Sequence, residues 1–316
     1  MYYVGVDIGG MSIKAGIVTE QGEILGKMSV VTEPHAPQEK TVKAVADLVK
    51  NLLQSYKIAE NEVGGVGMGI PGTIDGQRGV IVYANNINFE NVPMVEDFKK
   101  YVNVETKIGN DANCAALGEV RFGSGKGYTD AVFVTLGTGV GSGIVINGEI
   151  FEGIGGAGAE AGHMCIVSGG EPCSCGRLGC WEAYASATAL MRDTARAMEK
   201  SPASLMHDAA KEEGKVSGRT AFIAARKGDE AGLEVVRQYE EYVAEGLVNL
   251  VNIFRPQALL IGGGVSHEGD YFIDALQALV DKNSYGGHRN PRVRVLKATL
   301  GNDAGILGAA ALVMPK

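Results

Sequence analysis

The sequence lacks any apolar run near the roughly 20 residues that a membrane-spanning helix needs. It shows no export signal at its start, and its five cysteines are an odd number, which argues against a disulfide-stapled secreted domain. A basic surplus is missing too, because the net charge is -8, and this argues against general nucleic-acid binding. We therefore expect a protein of the reducing cytoplasm, with no nucleic-acid and no membrane partner.

Proline is scarce, with 9 residues against 46 glycines, so the chain has many tight turns and little sign of disorder. At 316 residues and 45% hydrophobic content it can bury two domain cores. A strand, a glycine turn and a second strand occur at residues 4–18 and again at 133–146. This repeat predicts two related α/β domains facing across a central cleft, 1–116 with the C-terminal helix 304–316 packing back on it, and a larger one, 117–303.

Apolar periodicity supplies the elements of these domains. Strands are predicted over 2–8, 13–19, 24–31, 63–70, 104–108, 130–136, 144–146, 258–261 and 293–296, and helices over 39–56, 112–122, 233–254 and 304–314. Glycine turns follow three of the strands, at 9–12, 137–143 and 262–264. Backbone N–H groups on such turns can approach a phosphate closely, although each turn alone could be an ordinary hairpin. None is a Walker A loop, because no Gly-Lys-Ser/Thr follows.

One segment, residues 160–182, carries His163, Cys173, Cys175 and Cys180. Three thiolates and one imidazole are the ligand set of a closed tetrahedral zinc site. The alternative is a group of unrelated buried thiols, which three cysteines within eight residues make improbable. Cys114 and Cys165 lie outside this spacing. We predict one structural zinc ion per chain.

Polar residues stand out at three places, and at two of them, 85–88 and 160–182, they could bind the hydroxyl groups of a sugar. Glu160 and Glu182 bracket the zinc segment, and a carboxylate held beside a metal is a good acceptor for hydroxyl groups, though a solvated surface role is the alternative. Asn85, Asn86 and Asn88 form an amide-rich loop that could equally be a simple turn. Asn110 and Asp111 lie between a strand and a helix, where either one could be only an N-cap.

Several motifs together resemble one family, the ROK family of sugar kinases and regulators in the actin-like ATPase superfamily, and above all its bacterial glucose kinases. They are Asp7-Ile8-Gly9-Gly10, Ile70-Pro71-Gly72, Asn110-Asp111-Ala112-Asn113, Leu136-Gly137-Thr138-Gly139-Val140-Gly141, Glu160-Ala161-Gly162-His163, Cys-x-Cys-Gly-x-x-Gly-Cys-x-Glu over 173–182, and Gly262-Gly263-Gly264. The resemblance covers nearly the whole chain. It implies ATP-dependent phosphorylation of the 6-hydroxyl of glucose, giving glucose 6-phosphate and ADP, with ATP, Mg²⁺ and structural zinc as cofactors.

The resemblance also implies a role for each matching residue. Asp111 would be the catalytic base, and the zinc ligands would be the four residues named above. The sugar would be bound by Gly72, Asn86, Asn110, Asp111, Glu160, His163 and Glu182. The nucleotide would be bound by Asp7, Gly9, Gly10, Ser12, Lys14, Gly137, Thr138, Gly139, Gly262, Gly263 and Gly264.

One residue departs from the family pattern, because Met11 stands where the first phosphate turn usually has Thr. A hydroxyl is therefore lost there, although Ser12 next to it could substitute. Two alternatives stay open: a kinase for mannose, fructose or N-acetylmannosamine, and a catalytically silent sugar sensor. A repressor is disfavoured, since the first strand starts at Tyr2 and leaves no room for a helix-turn-helix. We also expect a homo-oligomer, a dimer or a tetramer.

Overall fold

A computed structural model describes residues 1–84, 87 and 89–315. Asn86, predicted to bind sugar, and its neighbours Asn85 and Asn88 lie outside the described residues. Within the described part of the chain, no helix has the length and apolar character that crossing a bilayer requires. All five cysteines are free thiols.

The described strands and helices follow one another in runs, with three or four strands in succession early in the chain and five helices in succession after β11. The strands are β1 (Tyr2–Ile8), β2 (Ser12–Thr19), β3 (Ile24–Val31), β4 (Val63–Ile70), β5 (Thr73–Asp75), β6 (Val80–Ala84), β7 (Phe89–Val92), β8 (Thr106–Asn110), β9 (Ala131–Leu136), β10 (Val140–Ile146), β11 (Glu149–Ile150), β12 (Ala258–Gly262) and β13 (Arg294–Lys297). The helices are α1 (Gln38–Ser55), α2 (Met94–Lys99), α3 (Asp111–Phe122), α4 (Glu182–Ala185), α5 (Ala187–Lys200), α6 (Met206–Glu212), α7 (Thr220–Arg226), α8 (Glu230–Phe254), α9 (Asp270–Asn283) and α10 (Ala304–Ala311).

The chain forms two compact units. The first comprises residues 1–133, 143–159 and 299–316, and the second comprises residues 134–142 and 160–298. The chain passes between the units within β9 and again within β10. The domain boundaries expected from the sequence, after residues 116 and 303, stay a prediction, because a compact unit need not be a domain that folds alone.

The first unit contains a five-stranded sheet of order β3-β2-β1-β4-β8. β1 runs antiparallel to β2, as the predicted hairpin requires, and parallel to β4, the strand predicted at 63–70. The apolar stripe of α1 packs on it, with Val45, Val49 and Leu52 fully buried. β8 begins two residues later than predicted and continues to Asn110, where α3 starts directly.

The C-terminal helix α10 belongs to this unit and packs against α3, β1 and β4. The approach is close at Gly5, where a Cβ atom would lie 1.9 Å from the Ile306 carbonyl oxygen. A separate three-stranded sheet, β5-β6-β7, also lies in this unit and was not predicted. Its strands are only three to five residues long, too short for periodicity to reveal.

The second five-stranded sheet has the order β11-β10-β9-β12-β13. In the second unit β12 runs parallel to β13, and α8 packs against α5, α7 and α9. Trp181 is fully buried and its Nε1 donates to the Tyr242 carbonyl at 2.9 Å. Because Trp181 lies between Cys180 and Glu182, this anchor fixes one end of the cysteine segment to the core of the unit.

Candidate active site and metal centre

Asn110 and Asp111 have different structural roles at the start of α3. Asn110 is the N-cap: its Oδ1 accepts from the amides of Ala112 at 2.9 Å and Asn113 at 3.1 Å. Its Nδ2 donates to the Gly72 carbonyl at 3.0 Å. Asp111 is the first helical residue, so the helix does not need it as a cap.

In the first unit the pKa values of two aspartates, Asp7 and Asp111, are raised above the ordinary value. Asp111 is solvent-accessible, yet the surrounding protein desolvates its carboxylate and raises its pKa, against hydrogen bonds from backbone amides that include Ala112 N–H at 2.9 Å. Burial likewise raises the pKa of Asp7, while Lys14, whose Nζ lies 3.8 Å from Asp7 Oδ2, opposes the rise. The charge of Asp111 adds to the upward shift at Asp7. Such carboxylates bind a proton or a cation readily.

Gly72 supports this arrangement from the loop after β4. Its φ is 108°, and a Cβ atom would lie 2.1 Å from the Tyr83 carbonyl oxygen, so no other residue fits there without displacing the backbone. Its own carbonyl receives the Asn110 side chain. Gly72 therefore positions the residue that caps α3.

The first glycine turn is closed by the Gly9 amide donating to the Ser12 carbonyl at 3.0 Å. It is also braced by Thr32, which sequence reasoning missed. Thr32 Oγ1 donates to the Gly9 carbonyl at 2.6 Å and its amide donates to the Met11 carbonyl at 3.0 Å. Thr32 is only 5% exposed, whereas the Met11 side chain is 87% exposed. The strand register could have revealed Thr32, because Ser12 pairs with Val31 and the next residue then faces the turn.

The predicted metal ligands converge. The ligand atoms of His163, Cys173, Cys175 and Cys180 all lie within 4.8 Å of one another. His163 Nδ1 is 3.6 Å from Cys173 Sγ, and Cys175 Sγ is 3.6 Å from Cys180 Sγ. Zinc bonds of about 2.3 Å to sulfur give tetrahedron edges of roughly 3.7 Å, so these separations fit a zinc ion. The donor set therefore suits Zn²⁺, with Nδ1 as the imidazole ligand.

Glu182, the first residue of α4, connects the metal segment to the second glycine turn. Its Oε2 accepts from the Val140 amide at 3.0 Å, and its Oε1 accepts from the Ser174 hydroxyl at 3.1 Å. A Cβ atom on Gly139 would lie 2.2 Å from Oε2, so a larger residue there would displace the Glu182 carboxylate. A carboxylate has about four acceptor positions, and two of those on Glu182 are used in these bonds.

The rest of the second glycine turn rests on α5. The Ala187 amide donates to the Gly137 carbonyl at 2.8 Å, and Thr188 Oγ1 donates to the Thr138 carbonyl at 2.8 Å. The third turn leaves β12 at Gly262, and Ser266 Oγ donates to the Gly263 carbonyl at 2.8 Å. Gly264 begins a short 3₁₀ helix, Gly264–Glu268. The residues of these turns include no basic side chain.

Glu160 is exposed and opens the short 3₁₀ helix that carries His163. The His163 amide donates to the Glu160 carbonyl at 3.0 Å. Arg177, between the second and third cysteine ligands, donates from Nη1 to the His163 carbonyl at 3.1 Å. Glu160, His163 and Glu182 thus belong to the part of the second unit around the candidate metal site, while Gly72, Asn110 and Asp111 belong to the first unit.

Comparisons with known proteins agree on one family. The model of the ROK family matches residues 3–316. A glucokinase of Streptomyces coelicolor is 36% identical over 312 residues, which are 98% of this chain and 96% of the relative. A ROK family glucokinase structure from Streptomyces griseus, in complex with glucose and AMPPNP, is 36% identical with a TM-score of 0.80, covering 99% of each chain. A ROK hexokinase structure from Thermus thermophilus is 31% identical with a TM-score of 0.82, covering 98% of this chain and 97% of the other. These structures confirm the predicted actin-like α/β fold class.

Proposed function

This chain belongs to the ROK family, and we propose that it is a glucokinase, which transfers the γ-phosphoryl group of ATP to the 6-hydroxyl of glucose. The products are glucose 6-phosphate and ADP. The observation that carries the proposal lies at the start of α3. Asn110 caps the helix, so the Asp111 carboxylate, whose pKa is raised, is available to accept a proton from the substrate. The near full-length similarity to glucokinases supports the choice of glucose.

Asp111 acts as the general base. It takes the proton of the 6-hydroxyl while the sugar oxygen forms its bond to the γ-phosphorus and the bond to the β–γ bridging oxygen breaks. That oxygen leaves with the electron pair on ADP. A raised pKa makes Asp111 a better proton acceptor than an ordinary aspartate, because the ideal catalytic pKa lies near the working pH.

The sugar ring is recognised by neutral and acidic groups. Asn110 Nδ2 has one hydrogen beyond the bond to Gly72, and Glu160 and Glu182 supply acceptors. His163 presents Nε2 when Nδ1 is on the metal. Gly72 and Asn86 complete the proposed set, which contains no Arg or Lys, so an unphosphorylated polyol suits it better than a sugar phosphate.

The nucleotide is held mainly by backbone groups. In the first unit the proposed residues are Asp7, Gly9, Gly10, Ser12 and Lys14. In the second unit they are Gly137, Thr138, Gly139, Gly262, Gly263 and Gly264. A bound Mg²⁺ would neutralise charge on the phosphates during transfer. Asp7, whose pKa is raised by burial, is the acidic side chain suited to face that cation or its water ligands.

Two other functions are alternatives to a glucokinase. A kinase for mannose, fructose or N-acetylmannosamine would use the same chemistry on a different ring. A silent sugar sensor is favoured by one observation, the exposed Met11 side chain where the family usually has a Thr hydroxyl. The cytoplasmic location and the homo-oligomer, dimer or tetramer, stay predictions.

A coupled assay of ADP release tests these functions side by side. Purified protein, ATP and Mg²⁺ are mixed with glucose, mannose, fructose or N-acetylmannosamine, and a sample without sugar reports background ATP hydrolysis. We expect glucose to give the highest kcat/KM. Faster turnover of another hexose would change the assignment of substrate, and no turnover with any sugar would favour the sensor.

A further inference from the structure

Arg226, the last residue of α7, contacts the segment that follows the third glycine turn. Its Nη1 lies 2.5 Å from Oε2 of Glu268, and its Nη2 donates to the Glu268 carbonyl at 3.1 Å. Glu268 is the last residue of the 3₁₀ helix Gly264–Glu268, and its side chain is only 5% exposed. A guanidinium that binds the carboxylate and the carbonyl of one residue fixes that residue more firmly than a single contact would. We call this pair the Arg226–Glu268 clamp.

Two aromatic rings hold the guanidinium of Arg226 in place. Its Cζ lies 5.2 Å from the ring centroid of Tyr271 and 5.9 Å from that of Phe222. Phe222 is fully buried, and its ring meets Tyr271 edge-on, with 6.2 Å between the centroids and 82° between the planes. A cation near aromatic rings is attracted by their electron-rich faces. Arg226 is therefore positioned by contacts other than Glu268, which lets it support the residue that it binds.

The clamp is connected to the third glycine turn through one short helix. The hydroxyl and the amide of Ser266 both donate to the Gly263 carbonyl, at 2.8 and 3.2 Å. A Cβ atom on Gly263 would lie 2.4 Å from the Leu136 carbonyl oxygen, so the turn packs directly on the end of β9. Gly263 and Gly269, which flank the helix, have φ values of 83° and 71°, and a glycine backbone resists rotation least. The orientation of the helix therefore depends on contacts outside its own backbone, and the clamp supplies one at its C-terminal end.

We propose that Arg226 is a positioning residue for nucleotide binding, which holds Glu268 and thereby fixes the third glycine turn in the orientation that binds ATP. This inference rests on the proposed function, in which residues 262–264 bind the nucleotide. Arg219, whose Nε is 3.9 Å from Glu268 Oε1, is a more distant second partner. Removing the Arg226 guanidinium leaves a nearly buried carboxylate without its main partner, so the segment that carries it should shift. ATP should then bind more weakly, while the proposed base and sugar ligands keep their positions.

Calorimetric titration with the ATP analogue AMPPNP, in the presence of Mg²⁺ and glucose, tests the clamp. ADP release at varied ATP and glucose gives kcat and both KM values for the same proteins. The variants are Arg226→Gln, Arg226→Lys, Glu268→Gln and the double variant Arg226→Gln with Glu268→Gln. Arg237→Gln is the matched control, because Arg237 also pairs with two carboxylates, Glu234 and Glu241, but both lie on its own helix α8. Melting temperatures establish that each variant is folded.

We expect Arg226→Gln to weaken AMPPNP binding and raise KM for ATP by about 3- to 30-fold, with kcat and KM for glucose unchanged. Arg226→Lys keeps the charge and should recover part of the loss. The double variant should bind AMPPNP no more weakly than the more affected single variant, because both substitutions remove one contact. Arg237→Gln should match the wild type. A merely structural role for Arg226 would lower the melting temperature and leave AMPPNP affinity unchanged, and that result would overturn the proposal.

The binding measurement separates this proposal from the kinase proposal. Weaker AMPPNP binding in the Arg226 variants of a wild type that turns over no hexose would refute the kinase and support the clamp. Equal AMPPNP binding in the variants of an active wild type would refute the clamp alone. A wild-type protein that binds no AMPPNP would overturn both.

Discussion

The candidate residues of the two units are positioned by different forces. In the first unit, Asp7 lies near the end of β1 and Asp111 at the junction of β8 and α3, so strand pairing and a helix cap fix both. In the second unit, Glu160 and His163 lie in a segment with short 3₁₀ turns and isolated bridges, where the four candidate metal ligands converge. Regular hydrogen bonding therefore orders the proposed base, whereas the proposed sugar ligands lie beside a candidate metal site. A substitution at the proposed base in the first unit should therefore lower kcat, whereas a substitution in the metal segment of the second unit should raise KM for glucose.

The largest effect is expected from Asp111→Asn in the first unit, which removes the proposed general base and keeps the fold. We expect kcat to fall by about 10²- to 10⁴-fold, because a general base is lost. The fold should persist, since Asn110 supplies the cap. ADP release and thermal melting measure the two effects on the same samples.

The same variant has a pH signature. Desolvation by the surrounding protein raises the pKa of Asp111, so its charge destabilises the folded state above that pKa, and protonation relieves the penalty as the pH falls through it. Asp111→Asn should therefore melt at or above the wild-type temperature at neutral pH, with the difference shrinking in acid. Near-normal turnover, or a clearly lower melting temperature at neutral pH, would contradict the role of Asp111.

In the second unit, a substitution of a candidate metal ligand should weaken sugar binding. Cys175→Ala should lose zinc and raise KM for glucose by about 10- to 100-fold, because the groups that orient His163 and Glu182 are lost. Cys165→Ala is the matched control, since Cys165 is an exposed cysteine of the same segment outside the ligand set. Metal analysis should find about one zinc per chain in wild type and control. A wild-type protein without zinc would refute the metal centre.

Glu182→Ala tests two effects within the second unit, because Glu182 contacts both the metal segment and the second glycine turn. We expect KM for glucose to rise by an amount worth about 1–3 kcal/mol, as a hydroxyl partner is lost. The contact with the Val140 amide adds an expectation: KM for ATP should rise as well. Glu182→Gln, which keeps an acceptor for that amide, should recover most of the ATP effect. An unchanged KM for glucose in both variants would remove Glu182 from the sugar site.

The smallest effect is expected from Thr32→Val, which removes the brace of the first glycine turn. Losing the hydroxyl bond to Gly9 should raise KM for ATP by an amount worth about 0.5–1.5 kcal/mol and leave KM for glucose unchanged. Thr32→Ser keeps the hydroxyl and is the control. Equal ATP affinities in the wild type and the valine variant would show that the turn holds its shape without Thr32.

Much of the fold was predictable because it follows local pattern. Alternating apolar runs predicted β1, β2, β3 and β4, and the spacing of His163 and the cysteines predicted their convergence. The small β5-β6-β7 sheet was missed, since its strands carry too few residues for a period to show.

Contacts between distant parts of the chain could not be read from the sequence. The structure assigns the cap to Asn110, and it adds a contact that the sequence could not show: the same side chain donates to the Gly72 carbonyl, 38 residues away. The bond from Val140 to Glu182 spans 42 residues and depends on how the metal segment folds. Such contacts follow from strand register and loop closure, which local composition does not encode.

Phosphorus NMR of the reaction of wild-type protein with ATP, Mg²⁺ and glucose tests the central claim most directly, because it identifies both the substrate and the atom that is phosphorylated. The account predicts loss of the γ-phosphate signal of ATP and growth of a phosphomonoester signal coupled to the two protons on C6 of glucose. A phosphate coupled to the single anomeric proton, or no phosphoester in a sample whose ATP and glucose remain intact, would contradict it.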